Sequence, residues 1–242
     1  MIDEVTIWDC NSYSIFSKSL FKYQDIKFRD FNKRIVNTSY NMIGIRTPIL
    51  RRIAKDISKT DIISYLECDV SDCYEEILIY GFVLSYLDDL DSFIKYFDKF
   101  ILLIDNWALC DLALCNLNIV RNNKDYFFNK INEYLSSDEF VCRVGVVLLL
   151  YYYIDEFYLN NIFDIITCLK RDEYYVNMAV AWLLSVCFVK FRDRTLKYLE
   201  ECNLDKFVFN MTISKICDSF RVSDLDKAYL KGLKNNKDIS GA

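Results

Sequence analysis

Laid against itself, the chain comes into register at a steady interval: Glu76, Leu109, Arg143, Asn177 and Asn210 occupy similar places, separated by 33, 34, 34 and 33 residues. The stretches "YYVNMAVAW" and "VFNMTISK" carry the match furthest, each with an Asn-Met pair. A period near 34 residues is the length of one helical hairpin, the unit of an α-solenoid, in which each helix pair buries its apolar face against its neighbours. The turn-forming residues agree. Sheet proteins need many tight turns, supplied mostly by Gly and Pro, and 242 residues with one Pro and five Gly leave long helices joined by short polar loops. The expected fold class is all-α, an α-solenoid of helical hairpins with about a dozen helices.

No linker-like stretch divides the chain, so one curved domain over residues 1–242 is the simplest expectation. Asp72 with Glu75 and Ser223 with Asp226 have capping-box spacing, and Pro48 suits the first turn of "PILRRIAKDI". The tail "KNNKDISGA" has nothing to pack and is expected to fray. The longest uncharged apolar runs, "VGVVLLLYYYI" and "YYVNMAVAWLLSVCFV", fall short of the ~20 residues that a membrane helix needs. Both read as buried core helices.

The start "MIDEVTIWDC" has no basic region followed by an apolar stretch, and so does not read as a secretory signal. That points to a reducing, cytoplasmic setting in which the ten cysteines are small core residues. They include no C-x-x-C pair, and the chain has no histidine, so the spacing of a metal site is missing and no metal or cofactor is expected. The lack of histidine also removes the commonest general base and every Ser-His or Cys-His nucleophile pair. There is no G-x-x-x-x-G-K or G-x-G-x-x-G phosphate loop.

Charge is spread unevenly along a chain whose net value is -5. Residues 27–59 hold nine basic groups, among them Arg46, Arg51, Arg52 and Lys55, against Asp30 and Asp56, for a local net of +7. Residues 60–105 reverse this to -9. A second basic patch gathers Lys190, Arg192, Arg194 and Lys197 around Asp193. A run of one sign is ordinarily a solvated face, but two basic patches on a concave solenoid also suit a curved polyanion such as duplex DNA.

Four residues ask for a common explanation. Trp107 and Asp111, in "DNWALCDLAL", are four apart and share a helix face; Arg143 opens "RVGVVLLLYYYI", and Trp182 lies within "MAVAWLLSVC". Singly, each has an ordinary structural account: a core indole, a carboxylate complementing a helix dipole, an arginine paired with an acid.

Together, in order along the chain, "GIRTPILRRIAK", "DNWALCDL", "CRVGVVLLL", "YYVNMAVAWLLSVCFVKF" and "ISKICDSFRVSDLDKAYLKGLK" resemble the AlkD-like DNA alkylation repair enzymes over residues 25–235. The resemblance implies a solenoid of HEAT-like repeats with a concave DNA-binding face, leaving about 24 N-terminal and 8 C-terminal residues peripheral. It also implies a monofunctional glycosylase that removes cationic 3- or 7-alkylated purines from duplex DNA and leaves an abasic site. By the same resemblance Asp111 faces the deoxyribose of the lesion, Trp107 and Trp182 line the cleft, and Arg143 grips the DNA backbone. Arg46, Arg51, Arg52, Lys55, Lys190, Arg192 and Arg194 join Arg143 as expected DNA contacts of a monomer. Two other readings stay open: a binder of branched or damaged DNA that excises nothing, and a protein-binding scaffold, which the acidic balance favours.

Overall fold

The computed structural model describes residues 5–70 and 72–240. They form fifteen α-helices and, among the described residues, no strand beyond an isolated bridge between Asn41 and Cys73. The chain packs as two compact units, Met1–Lys124 and Asp125–Ala242.

The first unit holds α1 (Cys10–Leu20), α2 (Ile26–Ile35), α3 (Thr47–Ile57), α4 (Ile62–Glu67), α5 (Tyr74–Val83), α6 (Leu90–Ile101), α7 (Trp107–Leu114) and α8 (Asn118–Asn122). The second runs from α9 (Lys124–Leu135), which starts at the boundary, through α10 (Glu139–Tyr152), α11 (Leu159–Cys168), α12 (Tyr174–Lys190), α13 (Arg192–Glu201), α14 (Lys206–Asp218) and α15 (Asp224–Ser240). The 34-residue register falls on α5, α7, α10, α12 and α14, always within the first five residues of the helix. Within the first unit α3 packs on α5 and α5 on α7; within the second α10 packs on α12, α12 on α14, and α14 on α15.

Aspartate and asparagine start many of these helices. Asp25, Asp61, Asp89, Asn106 and Asp205 each accept backbone N–H groups of the first turn, and Asp9 and Ser12 form a reciprocal capping box. Pro48 takes its expected place in the first turn of α3. Ser223 accepts from the Asp226 N–H at 3.1 Å, as its spacing predicts.

The other expected capping box does not form. Cys73 stands at the start of α5 without a side-chain cap, and Glu75 turns inward, where it is 1% exposed. Its carboxylate accepts from the Ile43, Gly44 and Ile45 backbone N–H groups at 2.9, 2.6 and 3.1 Å. Three buried amide donors of a loop have a stronger claim on an acceptor than a helix end that neighbours can cover. Gly44 completes that loop at φ 95°, and a Cβ there would fall 2.5 Å from both the Arg29 Cβ and the Asp25 carbonyl oxygen.

The two apolar runs are core helices. Residues 142–150 of α10 are buried without a break, and α12 is buried along most of its length. Among the described residues no helix is long and apolar enough to cross a membrane. The N-terminal segment also reaches the core: Trp8, Tyr13 and Phe16 pack edge-on or tilted around Tyr65, and Leu20 is buried. Residues 1–4 and 241–242 lie outside the described residues, and the tail expected to fray continues α15 as helix to Ser240.

The cysteines correct one expectation. All ten are free thiols, but only Cys73, Cys110, Cys142 and Cys187 are buried. Cys68, Cys115 and Cys202 instead close α4, α7 and α13, their thiols donating to carbonyls of the last turn at 3.4, 3.3 and 3.6 Å. A small weak donor suits a helix end whose carbonyls lack partners.

Gly81 sets how closely α5, α6 and α7 approach. A Cβ there would lie 2.6 Å from the Phe100 ring and 2.8 Å from the Ala113 Cβ. Gly81→Ala is therefore expected to destabilise the protein by about 2 kcal/mol in urea unfolding, overpacking outweighing the better helix propensity of alanine. An unchanged or higher midpoint would show that these helices have slack.

Candidate functional site

The site begins with the helix that carries Trp107 and Asp111. Asn106, fully buried, starts α7 by accepting the Ala108 and Leu109 N–H groups at 2.9 and 3.0 Å. Its own amide donates to Asp105 at 2.7 Å. Asp105 also accepts from the Thr38 hydroxyl, the Ser39 hydroxyl and the Ser39 N–H at 2.7–2.9 Å, which fastens the loop after α2 to the start of α7. Tyr40 adds a bond from its phenol to the Leu103 carbonyl at 2.9 Å; burial, then the Asp105 and Asp72 carboxylates, hold that phenol above its ordinary range, so it stays a neutral donor.

At the other end of the helix, the Arg51 guanidinium donates to the Leu112 carbonyl at 3.0 Å and to Cys115 Sγ at 3.2 Å, while stacking 4.1 Å over the Phe82 ring. Arg51, expected at DNA, thus has one guanidinium nitrogen engaged at the end of α7. Trp107 donates through Nε1 to the Ile35 carbonyl at 3.3 Å. Both ends of this short helix are held.

Within α7, Ala108, Leu109, Cys110, Ala113 and Leu114 are buried. Trp107, Asp111 and Leu112 are half-exposed, as is Cys115 just after the helix. The open face is therefore a stripe at 107, 111 and 115, and the carboxylate lies on it one turn beyond the indole. Asp111 is a half-buried charge on an otherwise apolar helix.

The second unit repeats the arrangement on α12. Tyr175, Met178, Trp182, Val186 and Val189 are half-exposed at helical spacing, while the rest of the helix between them is buried. Trp182 stands edge-on to Tyr151, ring centroids 5.8 Å apart. It lines a recess of about 390 Å3 whose polar side chains include Lys215, Asp218 and Arg221. Arg143, only 5% exposed, donates to the Tyr175 carbonyl at 2.6 Å, and Glu139 accepts the Tyr175 N–H at 3.0 Å. Two side chains of α10 thus fix the first turn of α12.

The basic residues are differently disposed. Arg46 pairs with Asp25 at 2.9 Å and lies over Phe28; Arg52 is exposed over Tyr23; Lys55 is exposed. Lys190 donates to the Ile154 carbonyl at 3.4 Å, Arg192 pairs with Asp193 and Asp226, and Arg194 pairs with Glu156 at 2.7 Å. The charge runs legible in the sequence are partly neutralised by acids distant in the chain. Lys27, Lys33 and Arg34 of α2 are exposed beside Ile26 and Phe31, which are 56% and 60% exposed.

Burial pushes Cys142 up to about 11 and Cys187 up to about 12, so both stay protonated at neutral pH. Sequence reasoning missed Asn106 and Asp105. Asn106 had a readable signal, a capping residue just before an apolar run, whereas Asp105 works through partners more than 60 residues away.

A family model described as "DNA alkylation repair enzyme" matches residues 16–215. No curated protein sequence matches the chain.

Asn106→Ala is expected to cost about 2–3 kcal/mol in urea unfolding, since it strips a buried cap from two N–H groups and leaves Asp105 short of a donor. A loss below about 0.5 kcal/mol, the range of ordinary surface substitutions, would mean that the start of α7 is held by packing alone.

Proposed function

This chain belongs to the DNA alkylation repair enzyme family, and on that premise we propose that it is a monofunctional DNA glycosylase. It hydrolyses the N-glycosidic bond of cationic 3- or 7-alkylated purines in duplex DNA, leaves an abasic site, and works as a cytoplasmic monomer without metal or cofactor. The observation that carries this reading is the exposure pattern of α7 and α12. On two helices otherwise given over to packing, the open stripes hold Trp107, Asp111 and Trp182.

The chemistry needs little else. An alkylated purine cation is already a good leaving group, so no acid has to protonate it and the lack of histidine is no obstacle. As the bond to the base breaks, positive charge moves onto the deoxyribose. A fixed carboxylate about 4 Å away interacts with a unit charge by about 4 kcal/mol at an effective dielectric of 20, or roughly a thousandfold in rate. Only the part that grows between ground and transition state counts, and the substrate is cationic from the outset, so the net gain is smaller. Asp111 is the residue in this role. The indoles of Trp107 and Trp182 favour a charged lesion over the neutral parent base by about 0.5–2 kcal/mol each through cation–π attraction.

The DNA backbone falls to the exposed Arg46, Arg52 and Lys55 in the first unit and to the exposed Arg192 and half-exposed Arg194 in the second. Arg51, Lys190 and Arg143, which donate to main-chain carbonyls, act in this scheme by holding α7 and α12 in place.

The test is release of 7-methylguanine from methylated duplex. Wild-type protein is expected to release the base. Asp111→Asn is expected to lower the single-turnover rate about a hundredfold, short of a thousandfold because the substrate already carries its charge, while duplex affinity stays within about a factor of two. Equal release by both proteins would remove Asp111 from the mechanism. Binding with no release by wild type would leave the chain a DNA binder.

A further inference from the structure

The turn between α14 and α15 presents Phe220 to solvent at 104% exposure, the highest of the large apolar side chains among the described residues. The turn that carries it is ordered by its own bonds. Ser219 N–H donates to the Ile216 carbonyl at 3.1 Å, Arg221 N–H donates to Ser219 Oγ at 3.2 Å, and Val222 is buried. Just beyond, Asp226 is held by the Ser223 hydroxyl at 2.9 Å and by Arg192. A fully exposed ring on a fixed turn is set to meet something flat.

Its surroundings specify what. Ser219 and Arg221, on either side of Phe220, line the recess beside Trp182 together with Lys215 and Asp218. Two cations suit phosphates, and the Trp182 indole in the recess, with the Phe220 ring on the turn that borders it, suits bases. The carboxylate of Asp218 disfavours phosphate on its own side and so orients the polyanion, with its backbone toward Lys215 and Arg221 and its bases toward Trp182. Phe220 and Arg221 lie beyond residue 215, where the family match ends, so that match assigns them nothing.

We propose that this turn is a DNA-reading element in which Phe220 enters the base stack of the bound duplex as an apolar wedge while Arg221 and Lys215 hold the adjoining phosphates. The inference rests on the DNA reading above. Wedges of this kind part neighbouring base pairs and bend the duplex, and a parted stack exposes the lesion edge to Trp182.

The probe is an undamaged duplex carrying 2-aminopurine, whose fluorescence rises on unstacking, titrated with full-length wild type, Phe220→Ala and Arg221→Gln. Wild type is expected to raise the fluorescence. Phe220→Ala is expected to lose most of that rise and to bind about tenfold more weakly, a loss in the range of one base–aromatic stack, with an unchanged melting temperature. Arg221→Gln is expected to keep the rise and to reduce the slope of log K against log salt by about 0.9, the share of one phosphate contact. Phe220→Ala behaving as wild type, or wild type giving no rise, overturns the proposal. So does self-association of the wild type in sedimentation that Phe220→Ala abolishes, which would put a second copy on the ring. Set beside the 7-methylguanine assay, unstacking without base release upholds the turn and sinks the enzymatic reading, and base release without unstacking does the reverse.

Discussion

A helix enclosed on almost every side can place its polar groups only on its neighbours, and that constraint organises both units. The residues in 34-residue register mark several of the places where it is met. Glu76, 1% exposed on α5, accepts from Tyr13 and Ser17 of α1. Arg143 on α10 reaches the Tyr175 carbonyl at the start of α12, and Asn177 on α12 donates to the Arg171 carbonyl in the preceding loop at 2.9 Å. Each bond ties one hairpin to an adjoining segment at a fixed height, and removing one partner strands a buried polar group at a cost of about 1–3 kcal/mol. The repeat in the sequence is in part a repeat of these joints.

On this background the candidate functional residues stand out by where they are allowed to face. Packing has claimed nearly all of α5 and most of α7, α10 and α12. What remains open on α7 and α12 is a single stripe each, and those stripes carry two indoles and a carboxylate. Holding a carboxylate half out of water raises its effective interaction with nearby charge, provided that the helix beneath it does not move. The double clamp on α7, Asn106 with Asp105 at one end and Arg51 at the other, supplies that rigidity.

The helical class, the hairpin period and the two core helices were legible in the sequence because each depends on pattern repeated over many residues. The W-x-x-x-D pair was legible because helical spacing alone puts both residues on one face. Roles that depend on partners distant in the chain were not. Arg51 and Arg143 read as cations available to phosphate, yet each donates to a carbonyl more than 30 residues away. Glu75 read as a helix cap and serves a loop instead. Phe220 sits in the sequence among residues of ordinary composition, and only its complete exposure on an ordered turn sets it apart.

In the proposed reaction Asp111 acts electrostatically, stabilising positive charge as it appears on the sugar. The direct measurement compares affinities for two duplexes, one with a cationic pyrrolidine in place of the lesion's deoxyribose and one with a neutral tetrahydrofuran. The account predicts that wild type prefers the cationic duplex by at least about tenfold, as a transition-state mimic requires, and that Asp111→Asn loses the preference. Equal affinity of the wild type for both duplexes, or a preference that survives in Asp111→Asn, would contradict it.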